Sequence, residues 1–162
     1  MQTVNVRPAG SGDAVWAAAL MASSDPWVTL GRGFDDCYRA CTWIGDVLEI
    51  AELDGERSGF VLVRPSGVAG APYVKSIAVS PDRRSRGVGA ALLAHVERSY
   101  EARARHLFLC VSSFNSRARR FYERLGYQPV GVIEDFLIDG ADEVLMYKRL
   151  GAPGAPAGST RM

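Results

Sequence analysis

Histidine and cysteine are scarce: two and three respectively in 162 residues. Cys37, Cys41 and Cys110 lack the pair spacing of a metal site, and there are too few histidines to complete one. An odd, sparse set also cannot build a disulfide framework; it fits free thiols in a reducing compartment. A charge excess is missing as well. Lys plus Arg number 19 against 18 Asp plus Glu, a net charge of +1, which gives no reason to expect nucleic acid as a partner. No run approaches the roughly 18 apolar residues of a membrane span. Met1 to Arg7 carries no apolar signal-peptide core. These gaps lead to the expectation of a cytoplasmic protein without metal, membrane or nucleic-acid partners. No internal repeat is visible.

What is present is an ordinary globular composition, 48% hydrophobic and 23% charged. One domain is expected over residues 1–150. The stretch 151–162 (Gly-Ala-Pro-Gly-Ala-Pro-Ala-Gly-Ser-Thr-Arg-Met) has almost nothing to bury and is expected to be a disordered tail.

The chain is organised around residues 77–93. Ile77-Ala78-Val79 is a short apolar run, broken by Ser80-Pro81-Asp82, where proline favours a turn. Arg83, Arg84, Ser85, Arg86, Gly87 and Gly89 follow. Val88, Leu92, Val96 and Tyr100 then recur every four residues on one helical face. The pattern predicts strand, basic glycine loop, helix. Free N–H groups at the helix start, with the positive end of the dipole behind them, suit a phosphate or pyrophosphate. No Gly-x-x-x-x-Gly-Lys-Ser/Thr occurs, so this is not a nucleoside-triphosphate loop. Leu92 stands where a dinucleotide fingerprint needs its third small residue.

Thr3–Arg7 alternates like a half-buried strand. Asp13 is placed to cap a helix through Ala22. Trp27–Trp43 reads as a second helical region. Val47–Leu53 and Ser58–Arg64 form a hairpin around Asp54-Gly55. Pro65–Pro72 reads as a loop and Tyr73–Val79 as the strand entering the glycine loop. The next helix ends near Ala104. His106–Val111 is a continuous apolar, central strand. Asn115 caps a helix carrying Ala118, Phe121, Tyr122 and Leu125, closed by Gly126. Two strands follow, Tyr127–Ile138 and Glu143–Tyr147. Mixed helices and hairpins argue for an α/β sheet covered on both faces.

Arg84-x-x-Gly87-x-Gly89, after a strand ending Ala-Val-x-Pro, resembles the acyl-CoA loop of the GNAT N-acetyltransferase superfamily. Asn115-x-x-Ala118-x-x-x-Tyr122-x-x-x-Gly126-Tyr127 resembles its second signature, in the family's order. The element order agrees over residues 3–150. The resemblance implies a mixed, mostly antiparallel central sheet of about seven strands with helices on both faces. It implies acetyl-CoA as co-substrate, held by Ile77, Ala78, Val79, Arg84, Ser85, Arg86, Gly87, Val88, Gly89, Ala90 and Asn115. It also implies that strand Ser76–Val79 splays from His106–Val111, so that its backbone binds the pantetheine arm like an added strand. A backbone N–H near Val79 would polarise the thioester carbonyl.

Tyr122 is implied as the catalytic residue, beside the CoA sulfur. The chemistry agrees, since amine attack on a thioester expels a thiolate that a phenol can protonate. The base has several candidates. The family members closest in look are ribosomal-protein alanine N-acetyltransferases, which place a glutamate on the fifth strand; this chain has Cys110 there, in Leu109-Cys110-Val111. Cys110 reads as a buried small residue, with an acetylated cysteine as the alternative. Glu49, Glu52, Glu134, Asp135 and a water chain are further alternatives. His95 and His106 read as structural or solvated. The arginines at 117–120 reach the CoA 3′-phosphate or form a solvated helix face. Trp27, Phe34 and the segment 133–143 are expected around the acceptor. The expected activity is acetyl transfer to a primary amine of a small molecule, a peptide or a protein N-terminus. The alternatives are a CoA-binding module with little transferase activity, or an acyltransferase for another acyl group or an O-acceptor. The oligomeric state is open, a homodimer being one outcome.

Overall fold

Gly59 to Val63 is buried without interruption, which a strand tolerates only when both faces of its sheet are covered. Alternate side chains go to opposite sides. Phe60 and Leu62 join one apolar cluster with Ala17, Met21, Cys37 and Cys41; Val61 and Val63 join another with Leu92, Leu93 and Val96. The computed structural model describes residues 2–151, so the expected tail beyond Gly151 lies outside the described residues.

The elements are β1 Val4–Pro8, α1 Asp13–Ala22, α2 Phe34–Cys41, β2 Val47–Leu53, β3 Glu56–Val68, β4 Ala71–Val79, α3 Val88–Tyr100, β5 His106–Ser112, α4 Ser116–Arg124, β6 Gln128–Ile138 and β7 Ala141–Arg149. A single 3-10 turn, Pro81–Arg83, leads from β4 toward α3. One seven-stranded sheet runs in the order β1-β2-β3-β4-β5-β7-β6. Every neighbouring pair is antiparallel except β4 and β5. Helices α1 and α2 cover one face, and α3 with α4 the other. This is the expected mostly antiparallel architecture. Among the described residues no helix is long and apolar enough to cross a membrane.

Three local expectations are corrected. The helical region at 27–43 shrinks to α2; before it, turns are held by Asp25, whose Oδ1 accepts from the Thr29 N–H and hydroxyl. Residues 65–72 are not a loop. β3 runs to Val68, the chain turns at Ala69 and Gly70 with φ of 49° and 83°, and β4 starts at Ala71. The ladder slips between Arg64 and Val68, so the missing N–H of Pro65 leaves no bond unmade. Asp13 does not cap α1; Gly12 holds that position. Asp13 is instead a buried anchor facing Arg7 at 2.6 Å, Arg57 at 2.8 Å and the Gly10 N–H at 2.7 Å.

The decisive irregularity lies on β4. Leu62 faces Ser76 and Val63 faces Val74, so Lys75 is one residue more than its partner strand supplies. That is a bulge, which bends a strand and re-aims the residues beyond it. Lys75 Nζ donates to Asp46 Oδ2 at 2.5 Å, and Arg64 Nε to Asp46 Oδ1 at 2.9 Å. Burial pushes the Asp46 carboxyl up, but these two cations outweigh it and hold it below the usual carboxylate range. A lowered folded pKa contributes stability that is present at neutral pH and lost as pH falls below the ordinary Asp value of about 3.9. Asp46→Asn is therefore expected to lower stability at pH 7 by about 1–3 kcal/mol, since Arg64 and Lys75 keep some contact with water. Urea unfolding checks this: the gap between variant and wild type should shrink at pH 3. An equal gap at both pH values would exclude the ion pairs as its source.

Candidate active site

β4 and β5 pair only at Tyr73↔Phe108 and Val74↔Leu109. Beyond the Lys75 bulge they part. Ser76, Ile77 and Ala78 stay on β3, while Cys110, Val111 and Ser112 stay on β7. A cavity of about 910 Å³ opens at the gap, lined by both strands. The splay expected of Ser76–Val79 and His106–Val111 is therefore a feature of the structure. Both strands point their carboxyl ends at the gap and each leads into a helix, so two helix N-termini converge there, the arrangement that places ligands outside strand ends in open sheets.

The two helix starts differ. At α3, Ser85 and Gly87 take left-handed φ of 62° and 81°, which aims the chain into the helix. No side chain caps Gly87. The first intrahelical bond is Ala91 N–H to Gly87 O at 3.0 Å, so the N–H groups of Val88, Gly89 and Ala90 have no partner within the helix. At α4, Asn115 Oδ1 accepts from the Ala118 N–H at 3.2 Å. Asn115 thus caps its helix as expected and lines the cavity as well.

Of the residues singled out in sequence, Ile77, Ala78, Val79, Arg84, Ser85, Gly87, Val88, Gly89, Ala90, Asn115 and Tyr122 line this cavity; Arg86 does not. Val88 is 1% exposed, its side chain spent on the core, so only its backbone is free to bind. Gly89 also has a reason within the fold. A Cβ there would lie 3.0 Å from the Phe121 ring, so small size serves the contact of α3 with α4. Arg83 is tied to Glu56 and Asp82, leaving Arg84 as the freer loop cation. The arginine run on α4 splits: Arg117 lines the cavity, while Arg119 pairs with Glu123 at 3.0 Å.

Tyr122 is 7% exposed and packs edge-on against Tyr127 at 6.1 Å. Among the described residues its hydroxyl takes no hydrogen-bond partner, and it lines the cavity. Burial pushes its pKa well above the usual tyrosine value, so it stays protonated and able to donate. Trp27 and Leu30 line the cavity from the α1–α2 side, and Phe136 and Leu137 from β6. Phe34 does not reach it; it stacks on Tyr38 at 5.9 Å.

The four carboxylates considered as bases are elsewhere. Glu49 pairs with His95 at 2.9 Å, Glu52 pairs with Arg7 at 2.7 Å, and Glu134 and Asp135 lie on exposed β6. His106 packs against the rings of Phe108 and Tyr147. Sequence reasoning missed Glu143, which is 4% exposed and lines the cavity. The Ser112 hydroxyl donates to Glu143 Oε1 across the β5–β7 pair. Burial pushes the Glu143 carboxyl above its ordinary value, against the opposing pull of Ser112. Nearby, burial and then the Cys110 thiol push Tyr73 up, while burial raises Cys110 against the pull of Tyr73. No local motif marks Glu143; its only signal would have been the register of two strands distant in sequence.

A cavity with a free strand edge and an open helix N-terminus suits an extended ligand that carries both amide groups and phosphates. The sequence profile described as "Acetyltransferase (GNAT) family" matches residues 14–127, and the chain belongs to that family. An uncharacterized N-acetyltransferase of Methanocaldococcus jannaschii is 34% identical over 140 residues, 85% of each chain. An N-alpha-acetyltransferase of Sulfurisphaera tokodaii is 35% identical over 109 residues, 60% of this chain and 65% of that one. Among solved structures, a GNAT-family acetyltransferase from Desulfovibrio desulfuricans superposes with a TM-score of 0.77 at 24% identity, covering 92% of this chain and all of that one. The ribosomal-protein-S18-alanine N-acetyltransferase of Escherichia coli gives 0.72 at 19%, covering 96% and 99%. The chain is thus an acyltransferase that moves an acetyl group from acetyl-CoA to an amine.

Proposed function

We propose that the amine is a primary one, on a small molecule, a peptide or a protein N-terminus, and that it attacks acetyl-CoA directly in a ternary complex. The observation that carries this reading is the parting of β4 from β5 with the unpartnered Tyr122 hydroxyl at its edge. The free backbone of Ile77, Ala78 and Val79 would hold the pantetheine arm, with an N–H near Val79 polarising the thioester carbonyl. Val88, Gly89 and Ala90 N–H groups, Ser85, Gly87 and the Arg84 side chain would receive the pyrophosphate. Arg86, outside the cavity, contributes charge at most. Asn115 would position the arm, and Tyr122 would give its proton to the departing sulfur. Acceptors would enter from the α1–α2 side, past Trp27 and Phe136. The relative named N-alpha-acetyltransferase favours peptide α-amines within this range. The free thiols of Cys37, Cys41 and Cys110 suit a cytoplasmic setting. A single domain over 1–150 belongs to this reading. So does homodimer formation, which the outward apolar residues Val130 and Val132 on edge strand β6 would support.

The test is thiol release from acetyl-CoA over a panel of peptide α-amines and small primary amines. At least one acceptor is expected to give turnover, with initial velocities whose double-reciprocal lines intersect. Parallel lines would replace the ternary complex by an acetylated enzyme; no release with any amine would leave a binding module.

A further inference from the structure

We infer that Glu143 on β7 is the general base of the transfer, doing from the neighbouring strand what β5, with Cys110, does not. This rests on the transferase reading above. Two acidic residues are buried among the described residues, Asp13 and Glu143. Asp13 faces the guanidinium groups of Arg7 and Arg57, and the shielded Asp46 carboxylate likewise faces Arg64 and Lys75. Among the described residues Glu143 forms no ion pair; Ser112 is its hydrogen-bond partner, and that bond occupies only Oε1. A buried carboxylate without a cation is costly to keep and is characteristic of a site that uses it.

The sheet register sets its aim. Ser112 lies opposite Glu143 and Cys110 opposite Leu145. Cys110, two residues from Ser112, therefore shares a face with Glu143 and sits diagonal to it, roughly 7–8 Å away by ordinary sheet spacing. Both line the gap, and neither belongs to the core cluster that holds Val144, Met146 and Tyr122 on the other face. The longer glutamate side chain can span that diagonal toward an acceptor entering between Trp27 and Cys110. Tyr122 comes from the opposite side, from α4. Base and acid thus approach the gap from its two faces, so the nitrogen that loses protons and the sulfur that gains one are served by different groups.

The proton balance closes with these groups. Glu143 takes a proton from the acceptor ammonium and passes it to solvent, and the freed nitrogen lone pair forms the C–N bond. The nitrogen then gives its second proton to Glu143 as the C–S bond breaks, its electron pair stays on sulfur, and Tyr122 supplies the proton to sulfur. Solvent carries that second proton from Glu143 back to Tyr122 between turnovers, so each turnover releases one proton net. The titratable groups facing Glu143 are Tyr73 from β4 and Cys110 from β5; Tyr122, Asp25, Lys75, Arg83, Arg84, Arg117 and Arg124 line the same cavity from elsewhere. Burial raises Tyr73 and Cys110 as it raises Glu143.

The test is the pH profile of kcat/KM for Glu143→Gln with an acceptor on which the wild type is active. Wild type is expected to reach a plateau well below the acceptor's amine pKa. The variant, lacking a base, should depend on the free-amine fraction: down roughly 10²–10⁴-fold at pH 7 and rising about tenfold per pH unit toward the amine pKa. Acetyl-CoA affinity by calorimetry should stay within about threefold. Glu143→Asp, still a carboxylate, should keep the wild-type profile at reduced rate, and it decides the matter if the Gln variant does not fold. A Gln variant that keeps the wild-type profile, fast or slow, overturns the assignment, as does an Asp variant that loses the plateau. A wild type that releases no thiol with any amine overturns the transferase reading itself, and this inference with it.

Discussion

Tyr122→Phe is expected to lower kcat by roughly 10²–10⁴ while acetyl-CoA affinity stays within about threefold. The change keeps the ring that packs between Phe121 and Tyr127 and removes only the hydroxyl. Among the described residues that hydroxyl bonds to no protein group, so its loss breaks no hydrogen bond in the fold. Stability should hold or rise slightly, by less than the usual 1 kcal/mol or so of a hydrogen bond. Lost turnover with retained affinity marks an interaction made mainly in the transition state. Burial holds the Tyr122 pKa above its usual value, so the acid stays protonated across the working range and gives no basic limb near neutrality. A Phe variant with near-normal turnover would remove Tyr122 from the mechanism and leave water as the acid.

Gly87→Asp is expected to weaken acetyl-CoA binding at least a hundredfold, about 2.7 kcal/mol. A carboxylate about 5 Å from a pyrophosphate is repelled by roughly 3 kcal/mol per charge at an effective dielectric near 20. The site suits a clean test. A Cβ on Gly87 meets nothing within 4 Å, and at φ 81° Asp and Asn are the side chains best tolerated. Gly87→Asn carries the same shape and strain without charge, and its affinity should fall less than tenfold. The gap between the two variants should narrow as salt is raised. Equal affinities would move the pyrophosphate away from the α3 terminus. Gly89 is a poorer probe, because any side chain there meets Phe121 before it meets a ligand.

The parts of the site legible in sequence are those written within one element or one turn. The Asn115 cap, Tyr122 on the buried face of α4 and the Gly87 start of α3 all depend on spacings of a few residues, which helical periodicity exposes. The Lys75 bulge depends on how two strands slip past each other, and no spacing within β4 records it. Glu143 is harder still. Asp142 and Glu143 are adjacent acids near a turn, and a one-residue change of register would exchange which of them is buried. Their difference is set by pairing with Ser112, 31 residues away. The hairpin at 65–72 misled for the opposite reason: its Gly, Pro and Ala content is that of a loop, but antiparallel pairing with β4 overrides local preference.

The parting of β4 from β5 also bears on how a catalytic cycle ends. Under the proposed reading, a strand edge that holds the pantetheine arm reads amide groups, and those are the same before and after the acetyl group has left. The grip on acetyl-CoA is then nearly the grip on CoA, with only the few atoms near Tyr122 telling them apart. Under the proposed reading the spent carrier competes directly with the fresh one for the same gap. The throughput of the enzyme becomes tied to how rapidly CoA departs and to the ratio of acylated to free carrier around it.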